Sequence, residues 1–348
     1  MSSLRFKAGF IHGLLCVCAG TAVAASRTSP AQSAAPQPAS VQEDRQLDEQ
    51  LKTIAQTHHG RLAVYAHNLK TGETASLDSD EPVQTASVIK LGILLDAAEQ
   101  IRSRTADLDE KLVLARANQV PGSGVLAQLD TPLALTLRDA LTLMVIVSDN
   151  TATNMAIDRL GLAHINETLR AAGLKQTVLY KKVYMPAQGP MPADQPKFGL
   201  GKTTPREMAT VMERLAECRL DLKGGAPLPG DGPICGAMLH MLRAQQDRDS
   251  LPRNIENLDT SEHGSAIGDK IGALDRVRND VALVSTKNGP IVISAFTWDN
   301  ADQRWTGDNG AEQTLGKVGQ AIVERWSPGG LDPTAFNWEN PLDAPASK

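Results

Sequence analysis

Ser87-Val88-Ile89-Lys90, continued by Leu91-Gly92-Ile93-Leu94-Leu95, is the stretch on which the reading of this chain turns. The i,i+3 spacing of Ser87 and Lys90 puts a hydroxyl and an amine on one helix face, one turn apart. Leu91, Leu94, Leu95 and Ala98 carry the same helix inward, as a buried catalytic helix would be built. A serine hydroxyl is a poor nucleophile at neutral pH and needs a base. A lysine can serve if burial and nearby cations lower its pKa. Alone the pair is weak evidence, because a helix N-cap serine followed by a structural lysine has the same spelling.

Two more motifs follow in order. Leu137, Leu141, Met144 and Val145 line a helix that ends at Ser148-Asp149-Asn150, and Asp269-Lys270-Ile271-Gly272 lies far downstream. Gly122-Ser123-Gly124-Val125-Leu126, residues 148–154 (SDNTATN), Lys202-Thr203-Thr204-Pro205 and Arg278-Asn279-Asp280 stand between and after them. This succession resembles the penicillin-recognising serine enzymes, most closely the class A β-lactamases, over roughly residues 43–326.

The resemblance implies an α+β fold: an antiparallel sheet built from both chain ends, with an inserted all-α subdomain and the site between the two parts. The α/β part would take residues 43–84 and 265–326, and the all-α part residues 85–264. It also implies roles. Ser87 would be the nucleophile, with its backbone N–H in the oxyanion hole, and Lys90 the base for acylation. Ser148 would shuttle a proton to the leaving nitrogen, and Asn150 would hold a substrate amide and Lys90. Lys270 would face Ser148 and a substrate carboxylate, and Ala273 would give the second oxyanion N–H. Gly272 would let the backbone approach closely. Arg278 would bind the carboxylate or else form a surface salt bridge. Asp149 is read as a turn residue outside the site.

Two departures from the family pattern stand out. Ile271 replaces a hydroxyl residue, which removes one substrate-carboxylate contact, a deficit of about 1–3 kcal/mol if the carboxylate goes unpaired. More seriously, residues 174–193 contain no Asp or Glu where the family carries its water-activating glutamate, and Lys181 and Lys182 stand there instead. Glu167, on an amphipathic helix, reads as solvated. Asp194, in the long Pro-rich loop 186–202, is a candidate water activator or a loop staple.

Composition sets the outer limits. At 348 residues, with 41% apolar and 22% charged, the chain can bury a large soluble core. Aromatics are only 3%, so aliphatics must build it; with a pI near 5.8 this excludes a nucleic-acid surface of basic stripes and stacking rings. Arg5 and Lys7 precede the apolar run 8–23 and Ala22-Val23-Ala24, the pattern of a cleaved export signal over residues 1–24. A short span or a lipoprotein anchor at Cys16 or Cys18 are the alternatives. Cleavage moves the formal charge from −5 to −7 by removing Arg5 and Lys7. The expectation is a secreted or periplasmic protein with no stable membrane insertion after cleavage.

Residues 25–42 read as a flexible Ser/Pro/Ala/Gln tether and 327–348 as a Pro/Gly-rich tail. Cys218 and Cys235 then flank a Gly/Pro-rich loop and either bridge it or stay as two buried thiols. A helical stripe begins at Leu47 and is stopped by Gly60. Residues 61–68 and 73–78 read as a hairpin through Lys70-Thr71-Gly72, and 281–286 and 291–298 as another through Asn288-Gly289. Thr204-Pro205-Arg206-Glu207 spells a capping box opening a helix, and a last helix covers 311–325. No His/Cys/Asp group has metal spacing, and His58-His59 reads as surface. No cofactor is implied.

The leading expectation is an exported serine hydrolase, monomeric, opening β-lactams or similar amide rings through a Ser87 acyl-enzyme. The alternative is a peptidoglycan DD-peptidase, esterase-like or penicillin-binding relative that deacylates slowly on peptidoglycan-derived substrates. A binding module on a retired scaffold is a third reading, opposed by the retention of Ser87, Lys90, Ser148 and Lys270.

Overall fold

The structure, a computed structural model, describes residues 42–222, 230–255 and 265–334. The expected leader, all of the tether but Gln42, most of the loop between the two cysteines and most of the tail lie outside the described residues.

The chain begins with β1 (Gln42–Glu43), α1 (Arg45–Thr57), β2 (Arg61–Asn68), β3 (Glu73–Leu77) and β4 (Val83–Gln84). A 3-10 turn over Ala86–Ile89 leads into α2 (Lys90–Arg102), then β5 (Lys111–Leu114), β6 (Leu133–Thr136), α3 (Leu137–Ile146), α4 (Asn150–Leu160) and α5 (Leu162–Ala171). After β7 (Val178–Leu179), α6 (Gln195–Phe198) and β8 (Gly201–Thr203) come α7 (Pro205–Ala216) and α8 (Asp231–Arg243). The chain closes with β9 (Ile267–Leu274), β10 (Val277–Val284), β11 (Ile291–Trp298) and α9 (Gly310–Trp326).

The main sheet runs β1-β3-β2-β11-β10-β9, antiparallel except where β1 pairs with β3. Both chain ends build it, and the helices from α2 to α8 lie between them in sequence. Strand periodicity fixes its two faces. Ile291, Ile293 and Ala295 join a core with Leu47, Leu51, Leu315 and Ile322, whereas Val292 and Phe296 join the larger core around α2. Residues of β10 split the same way, with Val281 and Leu283 on the α2 side and Ala282 and Val284 on the other. The sheet is therefore sandwiched, with α1 and α9 on one face and the catalytic helix and its neighbours on the other.

Helix α2 is buried along nearly its whole length: Lys90 to Ala98 are all shielded, and Leu91, Ile93, Leu94 and Leu95 are fully so. A helix apolar on every side must run through a core. Gly92 permits this, since a Cβ there would come 2.9 Å from Leu169 Cδ2 of α5.

The structure corrects several sequence expectations. The helix containing Ser87 does not start as an α-helix, because Ala86–Ile89 form a 3-10 turn and Ala86 has φ 44°. Strand β10 begins at Val277, well before residue 281, and ends at Val284. Half of the capping box forms: Thr204 accepts from Glu207 N at 3.2 Å, but the Glu207 carboxylate turns instead to residues 175–177. A complete capping box occurs where none was expected, at Thr136 and Asp139 of α3. His59 is exposed as expected, whereas His58 is half-buried, its ring bridging Asn300 Oδ1 at 2.9 Å and Thr314 Oγ1 at 3.1 Å. Cys218 and Cys235 are joined as a disulfide. Among the described residues no helix is long and apolar enough to cross a membrane.

Candidate active site

Ser87 sits on the 3-10 turn, wedged between β4 and the edge strand β9. Two backbone features fix it there. A Cβ on Gly272 would come within 2.9 Å of Ser87 N, Thr85 O and Val88 N, so β9 touches the turn through a position where only hydrogen fits. Asn279, opposite Gly272 on β10, reaches across to donate from Nδ2 to Gln84 O at 2.9 Å and Thr85 O at 3.2 Å. As β9 has β10 alone for a neighbour, its outer edge is left to face the Ser87 turn. Lys270 therefore lies on an edge strand. Ala273 follows Gly272 and lines the same clefts as Ser87.

Lys90 is fully buried. Its Nζ lies 2.8 Å from Ser148 O, 3.0 Å from Ser148 Oγ and 3.3 Å from Asn150 Oδ1. Lys270, also fully buried, reaches the same hydroxyl from the other side, donating to Ser148 Oγ at 3.1 Å and to Ile271 O at 2.8 Å. Ser148 thus sits between two amines, held by a left-handed backbone with φ 53°. Burial, and next the charge of Lys270, push the Lys90 pKa well below its usual value. Burial also lowers Lys270, to about 8, while Asp269, Asp280 and Asp247 hold it up. A neutral Lys90 has two N–H groups and a lone pair, so the Ser148 hydroxyl can donate to it while accepting from Lys270. Ser87 Oγ makes no hydrogen bond among the described residues and is left free to face a substrate.

Asn150 opens α4, with Nδ2 donating to Pro121 O at 3.1 Å and Oδ1 accepting from Lys90. Asp149 caps α4 through Ala152 N and also accepts from Val125 N at 2.6 Å and Leu126 N at 2.8 Å. It therefore ties the Gly122-Ser123-Gly124 loop to the Ser148 turn, a job its reading as a turn residue missed. A Cβ on Gly124 would collide with the Asp149 carboxyl at 2.3 Å.

Arg278 does not form a salt bridge at the surface. It is buried, paired with Glu312 at 3.0 Å, and donates to the carbonyls of Leu274, Val277 and Arg304. It lines the cleft, while each of its three guanidinium nitrogens meets a protein oxygen. Strand β10 turned it inward, and sequence alone could not show which carbonyls would meet it.

The loop after α5 is clipped by side chains. Glu207 accepts from the backbone N–H of Lys175, Gln176 and Thr177. Asn166 pairs both ways with Leu179, and Asn154 both ways with Val183. Asp194 pairs with Lys202 at 2.8 Å and accepts from Tyr180 Oη at 3.4 Å, contacts that staple the loop. Glu167 is exposed on α5. Two adjoining clefts of about 630 and 700 Å³ meet at Ser87. The acids lining them are Asp247, Asp249, Asp275 and Glu312, none of which belongs to that loop. Far from the clefts, ligand atoms of Asp96, Glu99 and His164 lie within 4.8 Å of one another, with the Asp96 carboxylate already taken up by His164, Thr168 and Gln100.

A sequence profile described as the β-lactamase enzyme family matches residues 46–326. A β-lactamase from Sphaerobacter thermophilus superposes with a TM-score of 0.68 at 28% identity, covering 81% of this chain and 97% of that one. The structure of PBP-A gives 0.66 at 23% identity, covering 82% and 97%, a likeness of fold. A curated relative, the β-lactamase regulatory protein BlaB of Streptomyces cacaoi, is 29% identical over 121 residues, 34% of this chain and 39% of that protein. The chain thus spans about two fifths of the length of that relative.

Proposed function

Because the chain belongs to the β-lactamase enzyme family and is a serine β-lactamase-like hydrolase, we propose that it opens β-lactam rings through an acyl-enzyme on Ser87. Ser87 Oγ attacks the lactam carbonyl as neutral Lys90 takes its proton. The backbone N–H groups of Ser87 and Ala273 receive the oxyanion. When the C–N bond breaks, Ser148 passes its proton to the leaving nitrogen and is reprotonated by Lys90. Protonated Lys270 faces the substrate carboxylate. The observation that carries this reading is the Lys90–Ser148–Lys270 chain, with contacts of 3.0 and 3.1 Å, buried beside an uncommitted serine hydroxyl.

Hydrolysis of the adduct is the slow step in this proposal. The loop that would supply the water-activating acid offers Lys181, Val183 and Tyr184 to the cleft. This feature favours the penicillin-binding, DD-peptidase-like reading for the natural substrate, a peptidoglycan-derived amide. The leader pattern and the Cys218–Cys235 disulfide support export to an oxidising compartment. Nitrocefin turnover followed with intact-protein mass spectrometry tests the whole reading. One adduct mapping to the Ser87 peptide and lost in Ser87→Ala is expected; an unmodified protein after long incubation refutes it.

A further inference from the structure

Residues 245–250 form one wall of the cleft of about 630 Å³, and the segment is tied at its two ends to different halves of the site. At its start, Gln245 Nε2 donates to Val145 O at 3.1 Å and Gln246 N to Ile146 O at 3.0 Å, at the end of α3 just before Ser148. At its other end, Arg248 donates to Asp269 Oδ1 at 2.6 Å, next to Lys270 on β9, and Leu251 N donates to Asp280 Oδ2 at 3.1 Å on β10. The segment is therefore a bracket from the Ser148 turn to the sheet. The 3.1 Å contact of Lys270 Nζ with Ser148 Oγ is made between the two parts that it joins.

Asp280 differs from the other anchors. It is fully buried, and its Oδ1 meets no partner among the described residues. Asp280 lies opposite Ile271 and Asp269 opposite Ala282, so the two carboxyls are diagonal neighbours on one sheet face. Lys270, opposite Val281, leaves β9 on the other face toward Ser148, and β11 presents Ala295 opposite Asp280. The remaining charges nearby are matched elsewhere or repel it. Arg248 is bonded to Asp269, Arg278 to Glu312, and Arg253 to the carbonyls of Asp249 and Gly307, while Asp247 adds a negative charge. A buried carboxylate with one N–H donor and no cation is costly, and taking up a proton relieves that cost. Burial, and next the charge of Asp269, push the Asp280 pKa well above its ordinary value against the pull of the Leu251 N–H.

We propose that Asp280 is a positioning residue for acylation, anchoring the bracket that holds the Ser148 turn against the Lys270 strand. It does so as an uncharged acid, with its proton on Oδ1 while Oδ2 accepts from Leu251 N. It touches no substrate and acts through residues 245–251. The proposal rests on Ser87 acylation.

The test measures, for the full chain with benzylpenicillin, the limiting acylation rate constant and the half-saturating concentration. Asp280→Ala removes the anchor and should lower the limiting constant about tenfold or more with the half-saturating concentration nearly unchanged, since a small displacement of reacting groups has that effect. Gln245→Leu, which unties the other end, should lower the same constant. Asp280→Asn keeps an uncharged group with an oxygen for Leu251 N and should retain most of the rate. A limiting constant does not depend on the folded fraction, so an unchanged value in Asp280→Ala overturns the proposal, as does a tenfold loss in Asp280→Asn. A second measurement needs no substrate and no alanine variant. An acid whose folded pKa is raised makes the fold less stable as pH climbs from its unfolded pKa to its folded one. The unaltered protein should therefore lose up to about tenfold in folding constant per pH unit, and Asp280→Asn should lack that slope in guanidinium midpoints. Equal slopes in the two proteins overturn the uncharged anchor. If the unaltered protein forms no adduct, the acyl-enzyme reading falls and this proposal with it; an adduct together with any of the contrary results removes this proposal alone.

Discussion

Ser148 is one hydroxyl with two lysines aimed at it, and neither lysine can do the other's work. Lys90 must be uncharged to accept a proton, and its deep burial beside Lys270 pushes its pKa down in that direction. Lys90→Ala should cut acylation by about 10²–10⁴, the usual worth of a general base, measured as adduct formation by mass spectrometry. Lys270 must be charged to attract a carboxylate. Its pKa of about 8 means that it loses its proton as pH rises through 8, so acylation by carboxylate-bearing β-lactams should decline above that pH. Lys90 acts in the opposite sense, since lowering the pH protonates it and removes the base. The rate should therefore be bell-shaped, and Lys270→Arg should carry the alkaline limb upward. An alkaline limb that stays near pH 8 in that variant would assign it elsewhere. The residues on which these arguments turn were legible in sequence because their spacing is local or their order is distinctive. Arg278, Asn279 and the double duty of Asp149 were not, as each depends on backbone atoms supplied by another element.

At the scale of elements, the contact between β9 and the Ser87 turn decides the geometry. Gly272→Ala would place a methyl group within 2.9 Å of three backbone atoms of that turn, so it should slow acylation by about 10² or more. The thermal midpoint should change less than for a core cavity, because the clash sits at an edge strand; equal acylation rates would show the turn free to retreat. Helices and hairpins were readable from periodicity and from Lys70-Thr71-Gly72 and Asn288-Gly289. Strand order was not, since nothing local in residues 267–274 says that this strand forms the edge beside Ser87. Glu207 shows the same limit. Its spacing from Thr204 fits a cap, yet three N–H groups of the loop outbid the cap's single one. Glu207→Ala should therefore loosen the loop, seen as faster amide exchange over residues 175–184.

At the scale of the whole molecule, the loop without an acid predicts the kinetics. Nitrocefin hydrolysis should show a burst of about one equivalent followed by slow turnover, with the adduct visible throughout. Fast steady turnover with no adduct would mean that another group activates water. The disulfide, with a sequence separation of 17, should contribute about 3 kcal/mol by the loop-entropy account, read from guanidinium midpoints of the Cys218→Ala/Cys235→Ala protein. The sheet's construction from both chain ends was legible because its hairpins sit at either end of the sequence. The cleft's aromatic lining was not, because Tyr184, Phe198 and Trp305 come from segments far apart along the chain.

Helix α9 has a consequence of another kind. Near its first turn Glu312 holds Arg278 at the cleft, and in its last turn Arg325 and Trp326 both bond to Asp44 at the start of α1. The start of α1 and the end of α9 are therefore clasped together at Asp44, on the sheet face away from α2. The clasp lies about one α9 length, some 25 Å, from the end of the helix that meets the cleft. The clasp is thus a natural handle, and protein immobilised or cyclised through it should acylate as fast as protein free in solution.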